Sequence, residues 1–557
     1  MTTTSSLRRA GLRTWLPALL FILALCLSVF TTWNTSLYCL DGDVSSELVL
    51  AHHLNKTGRP LTRDWYYSSE LRVLNTQLVF APLFSVFSDW HMVRFAGTLI
   101  LQALMVLSFF YLGRQAKLSW GARFLGGALL LLPVSVTYGR FVLYQAYYIP
   151  HIAIGFATVA LFLSGIKHLE SKRIPAFLIR LALLLGLSLA GGLGGVRQGV
   201  VTHVPLVFLL LVYCFQDAKD QSVLCAVRKN AKALALACAA SAAFALGYIV
   251  NSRHLSSAFS FRDYNTLNLG VVDAENLSEL LFSALHFFGF REGVRLLSPL
   301  GILSLGAVFS GVVCVVHGIA LLHGKQKAAS PTHRFISLLA LSAPLVMLCI
   351  YLLVELNWYY ALYLLPAAVW FIPLIAAAFD AMPDRVCALR RGDICMLLSI
   401  VLLVANGAAN SAFFATQGKL FPQRYHGIGY ENMTLGKELE APVSFLTENG
   451  YDYGYAEFWT ASPITEVSDG SIDVVNILIN CYDRPLVRYE HLMQPSLYGR
   501  ESDKAFLLLT SYHDRAYATM PYADKGERVY DDGSFVIYHF DDPSVIRDYT
   551  SWEYVLP

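Results

Sequence analysis

For its first three quarters the chain alternates long apolar runs with short polar connections, and then its pattern changes. A membrane-spanning helix needs about 20 predominantly apolar residues. Eleven stretches meet that demand, near 14–33, 94–113, 121–138, 148–166, 176–193, 200–216, 232–250, 298–322, 335–355, 360–379 and 394–413. The first follows Arg8, Arg9 and Arg13 and runs into Thr31-Thr32-Trp33-Asn34-Thr35. With no small-residue cleavage site there, a retained anchor is expected rather than a cleaved signal. After about residue 414 the apolar positions fall into short alternating stretches, at Asp473-Val-Val-Asn-Ile-Leu-Ile, Phe506-Leu-Leu-Leu-Thr and Ser534-Phe-Val-Ile-Tyr. The last follows an Asp-Asp-Gly turn, and all three read as strands. The segment from Ala441 to Asn449, closed by Gly450, reads as a helix with a glycine cap. The expected architecture is a polytopic α-helical membrane domain over 1–413 followed by a soluble α/β domain over 414–557.

Composition agrees with this pattern. Of 557 residues, 55% are hydrophobic and 15% charged, against about 25% charged in ordinary soluble domains. Mean hydropathy is +0.50. A net charge of +2 gives no reason to expect a nucleic-acid partner. The ten cysteines show no paired spacing of the kind that holds zinc or builds a disulfide scaffold. Cys39 and Cys481 are the two expected to lie clearly outside the membrane, and a bridge between them is open.

The distribution of basic residues sets the orientation. Alternate loops carry Arg114 and Lys117; Lys167, Lys172 and Arg173; Arg228, Lys229 and Lys232; Lys325, Lys327 and Arg334; Arg385, Arg390 and Arg391. By the positive-inside rule the N-terminus is cytoplasmic, and eleven crossings place the tail outside. Residues 34–93 and 251–297 are then external loops, and Arg140 and Arg197 stand out as external arginines.

The first external loop concentrates ionisable groups. It opens with Leu40-Asp41-Gly42-Asp43, two carboxylates that could hold a divalent cation such as Mg²⁺ or Mn²⁺, serve as a general base, or form a solvated turn. From Val44 to Leu54 the pattern is amphipathic, as for a helix lying along the membrane interface. Asp64-Trp65-Tyr66-Tyr67-Ser68-Ser69-Glu70-Leu71-Arg72 follows, and then a second apolar segment from Val73 to Phe87. Trp65 to Tyr67 would also suit an aromatic belt, whereas Glu70 and Arg72 would not. Residues 251–297 hold a second polar cluster, Arg253, His254, Arg262, Asp263, Tyr264, Arg291 and Glu292, and Tyr451 to Trp459 is rich in aromatics.

This arrangement resembles the type-C glycosyltransferase superfamily, which includes protein O-mannosyltransferases, aminoarabinose transferases and oligosaccharyltransferases. Asp41-x-Asp43 matches its first acidic motif, and Glu70 falls where many members place a second acidic residue. Gly42 and Leu71-Arg72-Val73 depart from the mannosyltransferase pattern of adjacent Asp-Glu and a later Lys-Pro-Pro. The resemblance implies an inverting membrane enzyme that moves a sugar from a polyprenyl-phosphate donor to a glycan, lipid or protein acceptor at the outer face of the cell membrane. Asp41, Asp43 and Glu70 are then the candidate catalytic residues, with Asp41 and Asp43 also candidate metal ligands. A departing lipid phosphate calls for fixed positive charge. Arg197, in Gly194-Gly195-Val196-Arg197-Gln198, Arg140 and Arg72 are candidates for it. Tyr66, Tyr67, His151 and Gln198 are candidate substrate contacts. The rival reading is a transporter or flippase for a lipid-linked precursor, against which stands the lack of paired repeats. A scaffold displaying the tail would need neither eleven helices nor a charged first loop.

Overall fold

The computed structural model describes residues 3–549 apart from 69, 70, 72, 219–221, 256, 263–267, 270–273, 292, 323–329, 356–359, 384–387, 421–432, 479–486, 519 and 521. Among the described residues, ten helices are long and apolar enough to cross a membrane: Arg13–Tyr38, Trp90–Gln115, Ile149–Glu170, Ile174–Leu193, Gly199–Asp217, Val223–Leu255, Pro299–Leu321, Pro331–Tyr351, Leu362–Asp380 and Arg391–Ala415. They coincide with ten of the eleven predicted stretches. The eleventh, expected at 121–138, is a bent pair, Trp120–Leu131 and Val136–Tyr144, whose arms meet at 85°. Pro133 accounts for the break, since proline lacks an N–H and its ring clashes with the preceding turn. Ser135 restarts the helix by accepting the Tyr138 N–H at 3.1 Å.

The chain forms two compact units that do not follow one another in sequence. One comprises Met1–Thr32, Leu99–Asn251 and Leu267–Tyr430, and the other Trp33–Thr98, Ser252–Thr266 and Glu431–Pro557. The first-loop segment and the tail thus belong to one unit. The hydrogen-bond ladder widens to π-helical turns at Gly139–Tyr144, Gly199–His203 and Val250–Leu255. Such turns re-aim side chains and recur at functional sites.

The second unit is built on strands. β1 (Tyr66–Tyr67) pairs in parallel with β2 (Ser260–Phe261), while a separate two-stranded ladder, β3 (Asn268–Leu269) with β4 (Val354–Glu355), belongs to the helical unit. The tail holds β5 (Tyr453–Glu457), β6 (Asp473–Leu478), β7 (Val487–Arg488), β8 (Ala505–Thr510), β9 (Glu527–Asp531) and β10 (Phe535–Phe540). They form one sheet in the order β7-β6-β5-β8-β10-β9, parallel at β6-β5-β8 and antiparallel toward both edges. The three predicted strands are β6, β8 and β10, and the predicted helix is Leu435–Glu448, followed by Gly450 at φ +68°. Alternate residues supply two cores, as the pleat requires. Tyr453, Tyr455, Leu507, Leu509 and Tyr538 face one way, and Ala456, Val474, Phe506, Leu508 and Ile537 the other. The aromatics of the Tyr451 to Trp459 segment are therefore mostly core.

The predicted amphipathic segment is the helix Gly42–Thr57, whose Val44, Leu48, Leu50, Ala51 and Leu54 are buried. That stripe packs on protein, against the helices Gln77–Leu83 and Phe458–Val467.

Candidate active site

Asp41 starts the first-loop helix. Its Oδ1 accepts the Val44 N–H at 3.0 Å, a standard N-cap. The residue is 3% exposed, whereas Asp43, one turn position further, is half-buried. Gly42 between them is required by space, because a Cβ there would collide with the carbonyl oxygen of Phe458. The departure from an adjacent Asp-Glu pair thus has a steric cause: the turn lies flat against the start of a tail helix.

Three ionisable residues that the sequence did not single out lie below this turn. Glu47 is buried on the same helix and accepts a hydrogen bond from the Thr76 hydroxyl. Arg94 grips Glu466 through Nε and Nη2, and its Nη2 also donates to the Val44 carbonyl at 3.3 Å. Arg94 and Glu466 side chains are 2% and 4% exposed. The available signal was a single arginine at the head of an apolar run; its partner lies 372 residues away.

Tyr66 and Tyr67, expected as substrate contacts, are both buried. The Tyr67 hydroxyl donates to the Thr62 carbonyl at 3.1 Å. The Tyr66 hydroxyl donates to Glu490 Oε1 at 2.7 Å and accepts from Arg488 at 3.1 Å. Burial and the Glu490 hydrogen bond push the Tyr66 hydroxyl up to about 12. Glu490 also pairs with Arg262 at 2.6 Å and with Arg488 at 3.0 Å. The predicted cluster in 251–297 therefore divides. Arg262 joins this ion cluster, whereas Arg291 is buried in the helical unit on Asn406 and Asn410, at 2.6 and 2.9 Å. Asp263, Tyr264 and Glu292 lie outside the described residues, as do Glu70, Arg72 and Cys481. Cys39 is buried with its Sγ 3.7 Å from the Met433 Sδ.

The helical unit brings Arg197, His151 and Gln198 together. Arg197 Nη1 lies 3.2 Å from His151 Nε2, and the Gln198 amide donates to the His151 carbonyl at 2.7 Å. Thr202 donates to Gln198 Oε1 at 3.1 Å, which holds the amide's orientation. The Arg197 guanidinium sits 5.1 Å from the Tyr148 ring centroid and 5.8 Å from that of Tyr363. Gly195, at φ +98°, supplies the left-handed turn that ends one helix and starts the next. Arg140 is buried within the first π-helical turn, 5.1 Å from the centroid of Phe141. The first two π-helical turns thus carry or adjoin the two stray arginines.

Among the described residues no three His, Cys, Asp or Glu side chains converge as a metal cluster. Hard cations take six or more oxygens, which Asp41 and Asp43 do not supply by themselves.

Neither a protein-family model nor a curated protein sequence matches the chain. Among solved structures, the crystal structure of ArnT from Cupriavidus metallidurans bound to undecaprenyl phosphate is similar over 95% of this chain and 98% of that one, with a TM-score of 0.54 at 11% identity. The chain has the ArnT fold over nearly its whole length, which bears out, at the level of fold, the resemblance carried by its first-loop residues.

Proposed function

We propose that this protein is a membrane glycosyltransferase that moves a sugar from a polyprenyl-phosphate carrier to an acceptor hydroxyl at the outer face of the cell membrane. The observation that carries the reading is the likeness to ArnT, whose structure holds undecaprenyl phosphate. That molecule is the kind of lipid phosphate released when a sugar leaves such a carrier. A carboxylate of the first loop, Asp41 or Asp43, takes the proton of the acceptor hydroxyl. The freed oxygen attacks the anomeric carbon opposite the phosphate. The bond to the phosphate oxygen breaks, the sugar inverts, and the lipid phosphate departs with the bonding pair. Arg197, with Arg140 as second candidate, meets the charge that develops on that phosphate. Glu70 and Arg72 remain part of the proposal from the sequence alone, as does a divalent ion at Asp41 and Asp43.

Loop charge supports the external placement. Counting the bent pair as a crossing keeps Arg114 and Lys117 on the same side as Lys167, Lys172 and Arg173. Counting it as re-entrant would put these groups on opposite sides, against the positive-inside rule. The test is Asp41→Asn and Asp43→Asn in proteoliposomes supplied with a polyprenyl-phosphate sugar. At least one variant loses transfer; full transfer by both, and by Glu70→Gln, would overturn the carboxylate assignment.

A further inference from the structure

The tail carries a polar site that the transfer step does not use, at the C-terminal end of its central parallel strands. β5 ends at Glu457, and its parallel neighbour β8 ends at Thr510. From β5 the chain continues to β6 on one side, and from β8 toward β10 on the other. Open parallel sheets bind ligands outside the strand C-termini at such a reversal. Here Glu457 Oε2 lies 3.5 Å from His513 Nδ1, and Thr510 Oγ1 lies 3.1 Å from the same nitrogen. The two side chains are 19% and 17% exposed, sheltered yet reachable. Burial pushes the Glu457 carboxyl upward.

Two aromatics neighbour this pair in sequence, and the Tyr512 ring centroid lies 5.3 Å from that of His513. Trp459 is the second residue of the helix after β5, and Tyr512 the second of the helix after β8. They are 43% and 70% exposed, and among the described residues beyond 431 no other large apolar side chain is exposed. At the opposite end of these strands, a hollow of about 680 Å³ is lined by Asp452, Arg500 and Lys504 among others. There Arg500 holds Asp452 and Asp473, and Lys504 donates to the Asn449 carbonyl.

We propose that the Glu457–His513 end is a carbohydrate subsite, which stacks a neutral sugar ring on Trp459 and Tyr512 and binds its hydroxyls through Glu457 and His513. Aromatic faces suit the apolar C–H face of a pyranose. A carboxylate accepts and an imidazole both donates and accepts, which matches hydroxyls that do both. A membrane anchor would use the aromatics but not a sheltered Glu–His pair. Gly42 abuts the carbonyl of Phe458, the residue after Glu457, so the first-loop carboxylates lie beside this end of the strands. A sugar held here is therefore the acceptor, an assignment that rests on the transferase reading.

The test applies full-length protein in detergent to an array of neutral oligosaccharides built from glucose, galactose, mannose and N-acetylglucosamine, with no donor present. Saturable binding to at least one is expected, weakened tenfold or more by Trp459→Ala and by Glu457→Gln and largely kept by Trp459→Phe. Binding to none, or equal binding by all variants, overturns the subsite. So does a Trp459→Ala/Tyr512→Ala variant that loses sugar-free anionic liposomes while binding sugars as before, since the aromatics would then be an anchor. Sugar binding without any transfer leaves the subsite standing and overturns the transferase reading alone.

Discussion

Arg94 and Arg197 are both arginines at the heads of apolar helices, and their surroundings differ. Arg94 is fully enclosed and meets a carboxylate with two of its nitrogens. Arg197 is half-buried and rests on a histidine and two aromatic rings. The first arrangement cancels a charge inside protein, where an unpaired ion is very costly. Ring faces, by contrast, attract a guanidinium through their quadrupole and orient it. The structural role of Arg94 and the phosphate-binding role proposed for Arg197 therefore make different predictions.

The contrast can be broken from its structural side first. Arg94→Met strands Glu466 and is expected to cost about 3–5 kcal/mol. Thermal unfolding in detergent reads this as a large drop, and adding Glu466→Leu should restore most of it. If the single variant is as stable as wild type, the pair is not the structural element described. On the functional side, Arg197→Ala should leave unfolding nearly unchanged and lower the transfer rate about 10²–10³-fold, the usual loss when a charge-stabilising donor is removed. Arg197→Lys should recover only part of it, because a lysine is a point charge without the planar fork. A variant that loses stability and transfer in step would make Arg197 a second Arg94.

Smaller effects sharpen the reading of the first-loop carboxylates. Asp41→Ala removes the helix cap and should cost about 1 kcal/mol, whereas Asp41→Asn keeps the cap and should cost little. Asp41→Asn therefore isolates the carboxylate's charge in a transfer assay from its role in the helix. The smallest expected effect is on pH dependence. Burial between the Phe84 and Trp90 rings lowers His52 to about 4, from an ordinary value near 6.5. The unfolded chain then binds more protons between those values, so this contribution to stability is complete above pH 6.5 and declines as pH falls toward 4. Unfolding midpoints measured from pH 7 to 4.5 should fall less steeply in His52→Phe than in wild type.

Much of the fold was legible because its signals are local. A run of 20 apolar residues or an Asp-Asp-Gly turn before a strand announces itself without reference to the rest of the chain. The bend at Pro133 was also written locally, though hydropathy alone reads 121–138 as one straight span. What could not be read was pairing at a distance. Tyr66 finds Glu490 across 424 residues, and Arg94 finds Glu466 across 372. Nothing in either neighbourhood names the other, so Tyr66 looked available in the sequence and is enclosed in the structure. The carboxylates and Arg197 stood out as candidates because charge is conspicuous where the chain is otherwise apolar. Glu47 was missed because a single glutamate on the polar side of an amphipathic helix looks solvated.

The most direct measurement follows a radiolabelled sugar on undecaprenyl phosphate in proteoliposomes containing the purified protein and a mixed-glycan acceptor. The account predicts that label moves into a glycosidic bond, with undecaprenyl phosphate released in equal amount and the reaction abolished by Arg197→Ala combined with Asp43→Asn. Label that crosses the bilayer still attached to its lipid, with no new glycosidic bond, would contradict it and make the protein a transporter of the carrier.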